Sequence, residues 1–332
     1  MFQTEPILFL QSYSTDFLNT FFKLVTTLGN EWFLTVFLIA FMFGIRYRKG
    51  YFLIQIALWN GIIIGCLKET FGLPRPANVD SRVQLLGKDY PNPTSLRAMG
   101  AKDFWGALPQ QAIDYLRNTR FDDFGFPSGH TSGAVSIWGT LFLFFKNTWV
   151  RLMCGALILL IPLSRMYLGR HFLADVLGGY AAGILLLAFM YRFAYMNESI
   201  QNVIFRKKSS VRVDPRTLLF ILYSCLLPLV VLFIPNVEPQ RIASLLGINI
   251  GYLLVWKKGI PDDNASVHKR ILRVLISFIC YFAVRFVSGK IMDVLVSGDS
   301  VYYECIPILL TTCFVIWGST ELSVKLGLFK RQ

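Results

Sequence analysis

Two histidines, three arginines, a lysine and an aspartate stand in short polar stretches between long apolar runs. The stretch SRMYLGRHFLAD, residues 164–175, holds Arg165, Arg170, His171 and Asp175. His171 and Asp175 are four residues apart, so a helix running through both would align them on one face. A carboxylate one turn from an imidazole orients it and activates it as a nucleophile or base. Lys68 and Arg75 lie in KETFGLPRP, residues 68–76, and Ser128, Gly129 and His130 close FPSGH, residues 126–130. Lys68, Arg75 and Arg165 are fixed cations suited to phosphate oxygens. Arginine can hold two oxygens at once and lysine acts as a point charge. A helix opening at Ser128 would aim free N–H groups at an anion, with Gly129 allowing close approach. The two histidines can then divide the work. His171, oriented by Asp175, attacks phosphorus in line, and His130 gives a proton to the leaving alkoxide. Water hydrolyses the phosphohistidine. No metal or other cofactor is expected, because side-chain cations supply the positive charge.

The elements that must hold these residues are membrane helices. The chain is 54% hydrophobic and 16% charged, with a mean hydropathy of +0.51, whereas soluble domains carry about 25% charged residues. The expected fold is all-α, a polytopic membrane bundle. The 29 Phe, 14 Tyr and 7 Trp suit interfacial belts and lipid-facing surfaces. Residues 3–27 are too polar for a span and predict an interfacial amphipathic helix. Nine spans are expected, at about 31–46, 51–67, 131–145, 149–163, 172–191, 217–234, 241–256, 271–287 and 304–318.

The basic residues set the orientation. Arg46, Arg48 and Lys49, then Lys146 and Arg151, then Arg192, Arg206, Lys207, Lys208, Arg212 and Arg216, then Lys257, Lys258, Lys269, Arg270 and Arg273 occupy alternate connections. Lys325, Lys330 and Arg331 follow in the tail. The positive-inside rule makes that side cytoplasmic. All three polar motifs then fall on the opposite face. The largest outer loop, residues 69–127, balances seven basic with seven acidic residues and predicts a short helix near Pro109–Asn118. The connection 192–216 reads as a seam between a catalytic region, residues 1–195, and an accessory four-span region, residues 196–332.

The net charge of +13 is accounted for by the cytoplasmic loops, so no nucleic-acid partner is expected. The six cysteines include no CxxC pair and read as small hydrophobes rather than a disulfide framework. The first ten residues lack Lys and Arg and predict no removable signal peptide. Arg170 reads as an interfacial anchor, His268 as a solvated loop residue, and Gly247 with Gly251 as a close helix-packing face. Oligomeric state is not specified by the sequence.

The three motifs together resemble the signature of the type 2 phosphatidic acid phosphatase superfamily, KxxxxxxRP, PSGH and SRxxxxxHxxxD, at every defining position. The resemblance spans about residues 30–190. It implies that Lys68, Arg75, Ser128, Gly129 and Arg165 bind phosphate, that His130 is the acid, and that His171 with Asp175 forms the nucleophile pair. The nine-span layout is similar to glucose-6-phosphatases and sphingosine-phosphate phosphatases, whereas the long outer loop departs from compact bacterial members. The function implied is an integral membrane phosphatase of a lipid phosphate or pyrophosphate, with the bilayer as its surroundings. The alternatives are a phosphatase of a soluble ester, a lipid phosphotransferase, and a non-catalytic transporter or scaffold. Both histidines and Asp175 argue against the last. The outer loop has no usable glycosylation sequon, because Pro93 follows Asn92; a bacterial inner membrane is therefore favoured over endoplasmic reticulum.

Overall fold

The computed structural model describes residues 1–87, 94–118, 124–204, 215–235, 237–295 and 300–331. Arg206, Lys207, Lys208, Arg212 and the Pro91–Asn92–Pro93 turn lie outside them. Helix accounts for 75% of the structure, and no strand occurs among the described residues. Among the described residues, five helices are long and apolar enough to cross a membrane: Tyr47–Val79, Thr148–Tyr167, Leu173–Tyr195, Val267–Leu295 and Tyr303–Lys325. With the composition, they make this a multi-pass membrane protein.

The remaining expected spans have a different character. Helices α2 (Asp16–Thr27) and α3 (Glu31–Gly44) pass the same test only as a pair, bent by 52°. The region expected as one interfacial helix thus contains α1 (Glu5–Ser12) and α2, separated where the Thr15 side chain accepts the Leu18 N–H. The 131–145 region is α7 (Gly129–Gly133), a π-helical turn over Ala134–Trp138 and α8 (Gly139–Phe144). Thr217–Val231 is apolar but short. Between the motifs lie α4 (Tyr47–Phe71), the single turn α5 (Pro76–Val79) and α6 (Gln110–Asn118). The last of these is the helix expected within the loop.

The chain divides into two compact units: Met1–Leu34 with Ile63–Ala188, and Thr35–Ile62 with Phe189–Gln332. In the first, α9 (Thr148–Tyr167) starts at Asn147, whose side chain accepts the Val150 N–H. It is followed by α10 (Leu173–Phe189). One face of α10 is stripped to glycine. A Cβ at Gly178 would meet the Phe126 ring at 2.5 Å, one at Gly179 the Ser128 carbonyl at 2.6 Å, and one at Gly183 the Ser132 carbonyl at 2.8 Å. The backbone around Ser128 therefore lies directly on α10.

The N-terminal segment is stitched to the same unit. Ile7, Val79, Val83, Ala112 and Phe172 form one apolar core. Buried Gln11 donates to the Gln84 and Tyr167 carbonyls, at 2.8 and 3.0 Å. Thr4 donates to Asp80 at 2.8 Å, and Asp80 also accepts from the Arg82 guanidinium at 2.6 Å. Burial works to raise the Asp80 pKa, but the hydrogen bonds from Arg82 and Thr4 outweigh it and hold it at about 2.

The second unit centres on α14 (Pro239–Lys258) and α16 (Val301–Lys325), with α15 (Val267–Leu295) beside α16. Gly251 rests on the Cys313 carbonyl, where a Cβ would come within 2.5 Å, and Gly247 lies as closely on Leu309. The packing face expected from these two glycines is present. Asn249 accepts from Tyr51 and Gln55, at 3.2 and 2.7 Å, and donates to the Ser224 carbonyl at 2.9 Å. Buried Arg273 donates to the Leu328 carbonyl at 2.6 Å and lies 3.7 Å over the Phe329 ring.

Candidate active site

Each motif residue sits at the end of a helix or just beyond one, as a polar group between apolar segments must. Lys68 is in the last turn of α4, and Arg75 precedes α5, its N–H bonded to Asn78 Oδ1 at 2.9 Å. Ser128 caps α7, accepting from Thr131 Oγ1 at 3.0 Å. Arg165 is in the last turn of α9, and Asp175 is in the first turn of α10.

His171 is placed differently from the helical alignment anticipated above. It lies two residues before α10, in the connection 168–172. Gly169 turns that connection at φ +71°, where a side chain is disfavoured and a Cβ would also collide with the Gln84 carbonyl. Asp175 then reaches back. Its Oδ2 accepts the Phe172 N–H at 2.9 Å and lies 3.2 Å from His171 Nδ1. The pair is therefore a helix-start carboxylate holding a loop imidazole. His171 is 1% exposed and Asp175 0%.

The motifs converge on this pair. The Ser128 N–H donates to the Asp175 main-chain carbonyl at 2.9 Å, which ties the second motif to the third. The Gly125 N–H donates to the Leu73 carbonyl at 2.8 Å, which ties it to the first. A Cβ at Gly125 would stand 3.0 Å from Asp175 Oδ2 and 3.4 Å from Arg75 Cγ. Burial lowers the His171 pKa well below its usual 6.5, and the charges of Arg75, Arg165 and Lys68 lower it further, with a contribution from His130. The imidazole is consequently neutral near pH 7, with its lone pair available. The charges of Arg165, Arg75 and Lys68 also act on His130. Gly129 is in ordinary contact only, since a Cβ there would meet Ile64 at 3.4 Å.

Several neighbours were not anticipated from the sequence. Arg170, expected as an anchor, is half-buried, and its charge reaches His130. Thr26 accepts from Arg165 Nη1 at 2.9 Å, and Asn30 Oδ1 lies 3.0 Å from His130 Nε2. The Phe2 ring packs on Phe172 and Phe126, with centroids 5.6 and 6.3 Å away. These residues carry no spacing signal in the sequence, because they come from a separate N-terminal stretch. Gly178, Gly179 and Gly183 were not anticipated either; the signal that marks them is the clustering of small residues on one apolar helix. Among the described residues, no three His, Cys, Asp or Glu side chains gather as a metal site, and all six cysteines are free.

The fold and site define a multi-pass helical membrane protein with a buried histidine–aspartate pair among converging cations. Residues 48–199 match the sequence model of the PAP2 superfamily. The chain is 26% identical over 182 residues to lipid A 4'-phosphatase of Porphyromonas gingivalis, covering 53% of this chain and 65% of that protein. It is 35% identical over 104 residues to phosphatidylglycerophosphatase B of Bacillus subtilis, covering 29% of this chain and 49% of that protein. The chain thus spans less than two thirds of the length of either relative. The crystal structure of Aquifex aeolicus LpxE aligns with a TM-score of 0.44 and 23% identity, over 58% of this chain and 96% of that one.

Proposed function

We propose that the protein is an integral membrane phosphatase acting on a lipid phosphate or pyrophosphate at the extracytoplasmic bilayer surface. The observation that carries this reading is the convergence of Lys68, Arg75 and Arg165 on the buried His171–Asp175 pair, with His130 beside it. His171 forms the bond to phosphorus as the P–O bond to the lipid alkoxide breaks. His130 transfers a proton to that alkoxide, so a lipid alcohol leaves. Water, giving a proton back to His130, then attacks the phosphohistidine; the P–N bond breaks, releasing inorganic phosphate and restoring the His171 imidazole. Lys68, Arg75, Arg165 and the N–H groups following Ser128 and Gly129 balance the charge on the phosphoryl oxygens. Phosphate binding brings negative charge among these cations, which favours the protonated His130 that the acid role needs.

The topology assigned to this reading is nine spans, with the C-terminus cytoplasmic and the 69–127 region outside, in a bacterial inner membrane. Residues 1–195 carry catalysis and residues 196–332 are accessory. Both curated relatives are named as phosphatases of lipids, lipid A and phosphatidylglycerophosphate. A phosphate on a lipid headgroup is accordingly the first substrate class assigned.

The test is phosphate release by the purified protein in detergent with EDTA, across lipid A, phosphatidylglycerophosphate, phosphatidic acid, polyprenyl pyrophosphate and glucose 6-phosphate. Release from at least one lipid is expected. Strict dependence on Mg²⁺ would refute the mechanism. Turnover confined to glucose 6-phosphate would move the assignment to soluble esters, and headgroup appearing on an added alcohol would make the enzyme a transferase.

A further inference from the structure

The His171–Asp175 pair has a counterpart at the other histidine. His130 Nε2 stands 3.0 Å from Asn30 Oδ1. Asn30 lies in the break between α2 and α3, with its N–H on the Thr27 carbonyl and its carbonyl accepting from Leu34, both at 3.0 Å. The preceding residue, Gly29, lies flush on the same edge of the imidazole. A Cβ there would come within 2.9 Å of His130 Cδ2 and 3.3 Å of Ile161. The Cδ2–Nε2 edge is thereby sealed against the 28–30 turn, and Nδ1 is on the opposite side of the ring.

An amide oxygen accepts and cannot donate, so Nε2 carries the hydrogen in this bond. The transferable proton of the imidazolium is then the one on Nδ1. The chemical contrast with His171 is informative. A carboxylate beside an imidazole stabilises the protonated ring, while a neutral amide fixes the ring without adding negative charge. A nucleophile benefits from the first arrangement and an acid from the second.

We infer that Asn30 is the positioning residue of His130: it fixes the tautomer that presents the Nδ1 proton to the leaving alkoxide, and its neutrality keeps the imidazolium a competent acid. The inference rests on the phosphatase reading above. The charged groups acting on His130 are Arg165 from α9, Arg75 ahead of α5, Lys68 from α4 and Arg170 from the 168–172 connection; His171, in that same connection, also interacts with it.

The experiment compares a long-chain alkyl phosphate, whose alkoxide needs a proton, with p-nitrophenyl phosphate, whose phenolate leaves without one. First-turnover rates are measured in detergent for the wild type, His130→Ala, Asn30→Ala and Asn30→Asp. Asn30→Ala is expected to slow the alkyl ester about 100-fold, within the range for general acid catalysis, and to spare the aryl ester. His130→Ala should give the same pattern. Asn30→Asp should move the basic limb of the alkyl-ester pH profile upward, since a carboxylate holds the imidazolium proton more tightly. That shift also decides the matter if the alanine variant does not fold. Equal losses on both esters in folded Asn30→Ala, or an unmoved basic limb in Asn30→Asp, would overturn the inference. If His130→Ala itself lacks the leaving-group dependence, the acid role of His130 fails and the inference falls with it. A leaving-group dependence in His130→Ala but not in Asn30→Ala would leave the phosphatase reading intact and remove Asn30 alone.

Discussion

Both compact units bury polar and charged side chains, but they use them differently. In the second unit Arg273 is directed at the Leu328 carbonyl and the Phe329 ring, Glu321 pairs with Lys258 and Arg331, and Asn249 joins Tyr51, Gln55 and the Ser224 carbonyl. Most of these contacts join residues far apart in the chain, so they brace helices. In the first unit, cations crowd a buried imidazole whose protonated form they oppose. Arg165 donates to the neutral Thr26 hydroxyl, and the Asp175 carboxylate is engaged with His171 and the Phe172 N–H. Burial of a charge is thus not what distinguishes a reactive centre. On the proposed function, the distinguishing feature is that Arg75, Arg165 and Lys68 all act on one neutral imidazole, a field that an incoming anion relieves.

The sharpest test of this contrast is His171→Ala. It is expected to remove turnover, with a loss of about 10⁴-fold or more as for other nucleophiles in covalent catalysis, read as phosphate release and as absence of acid-labile phosphoenzyme. Asp175→Asn keeps the shape but loses the carboxylate that orients the ring, and about 10⁴-fold is expected by analogy with other carboxylate–histidine pairs. Arg75→Ala and Arg165→Ala should each cost about 10²-fold in kcat/KM, the scale for one oxyanion partner; inhibition by inorganic phosphate should weaken in parallel.

The fourth prediction concerns pH. The folded state holds His171 below its ordinary value, so the unfolded state binds the extra proton first and stability increases with pH in that window. The contribution of His171 is full above about pH 6.5, the unperturbed imidazole value, and declines as pH falls beneath it. The acidic limb of kcat/KM due to His171 should therefore lie below 6.5 in a pH-rate profile. The smallest catalytic effect is expected from Arg273→Ala in the other unit. It should leave activity per folded molecule unchanged while lowering thermal stability by about 1–3 kcal/mol for the stranded carbonyl. An equal loss of activity in Arg273→Ala and Arg165→Ala would erase the distinction between the units.

The helical class, the membrane character and the three motif positions were legible in the sequence. Apolar runs report burial in lipid directly, and KETFGLPRP, FPSGH and SRMYLGRHFLAD are contiguous. What escaped was non-local or depended on backbone detail. His171 precedes its helix because Gly169 and the Phe172 N–H set a turn, which a four-residue spacing cannot distinguish from a helical face. Thr26 and Asn30 meet Arg165 and His130 across more than 90 residues, at separations of 139 and 100, and neither has a periodic signature. Arg170 read as an anchor because a cation beside an apolar run usually is one; that its charge also acts on His130 is a tertiary fact. Span counting was limited by the π-helical turn at Ala134–Trp138, which divides the apolar segment 131–145, and by the bend between α2 and α3, which are long and apolar enough only as a pair.

The glycine face of α10 has a consequence for how the protein is made. The Ser128 and Ser132 carbonyls rest directly on Gly179 and Gly183, and the Phe126 ring rests on Gly178, so the floor of the Ser128 turn is supplied by residues synthesised some fifty positions later. While the chain is being translated, this turn has no floor until α10 has been made. Formation of the turn is thereby coupled to formation of that helix, and a nascent chain halted before Gly183 has its motifs in sequence but not yet in register.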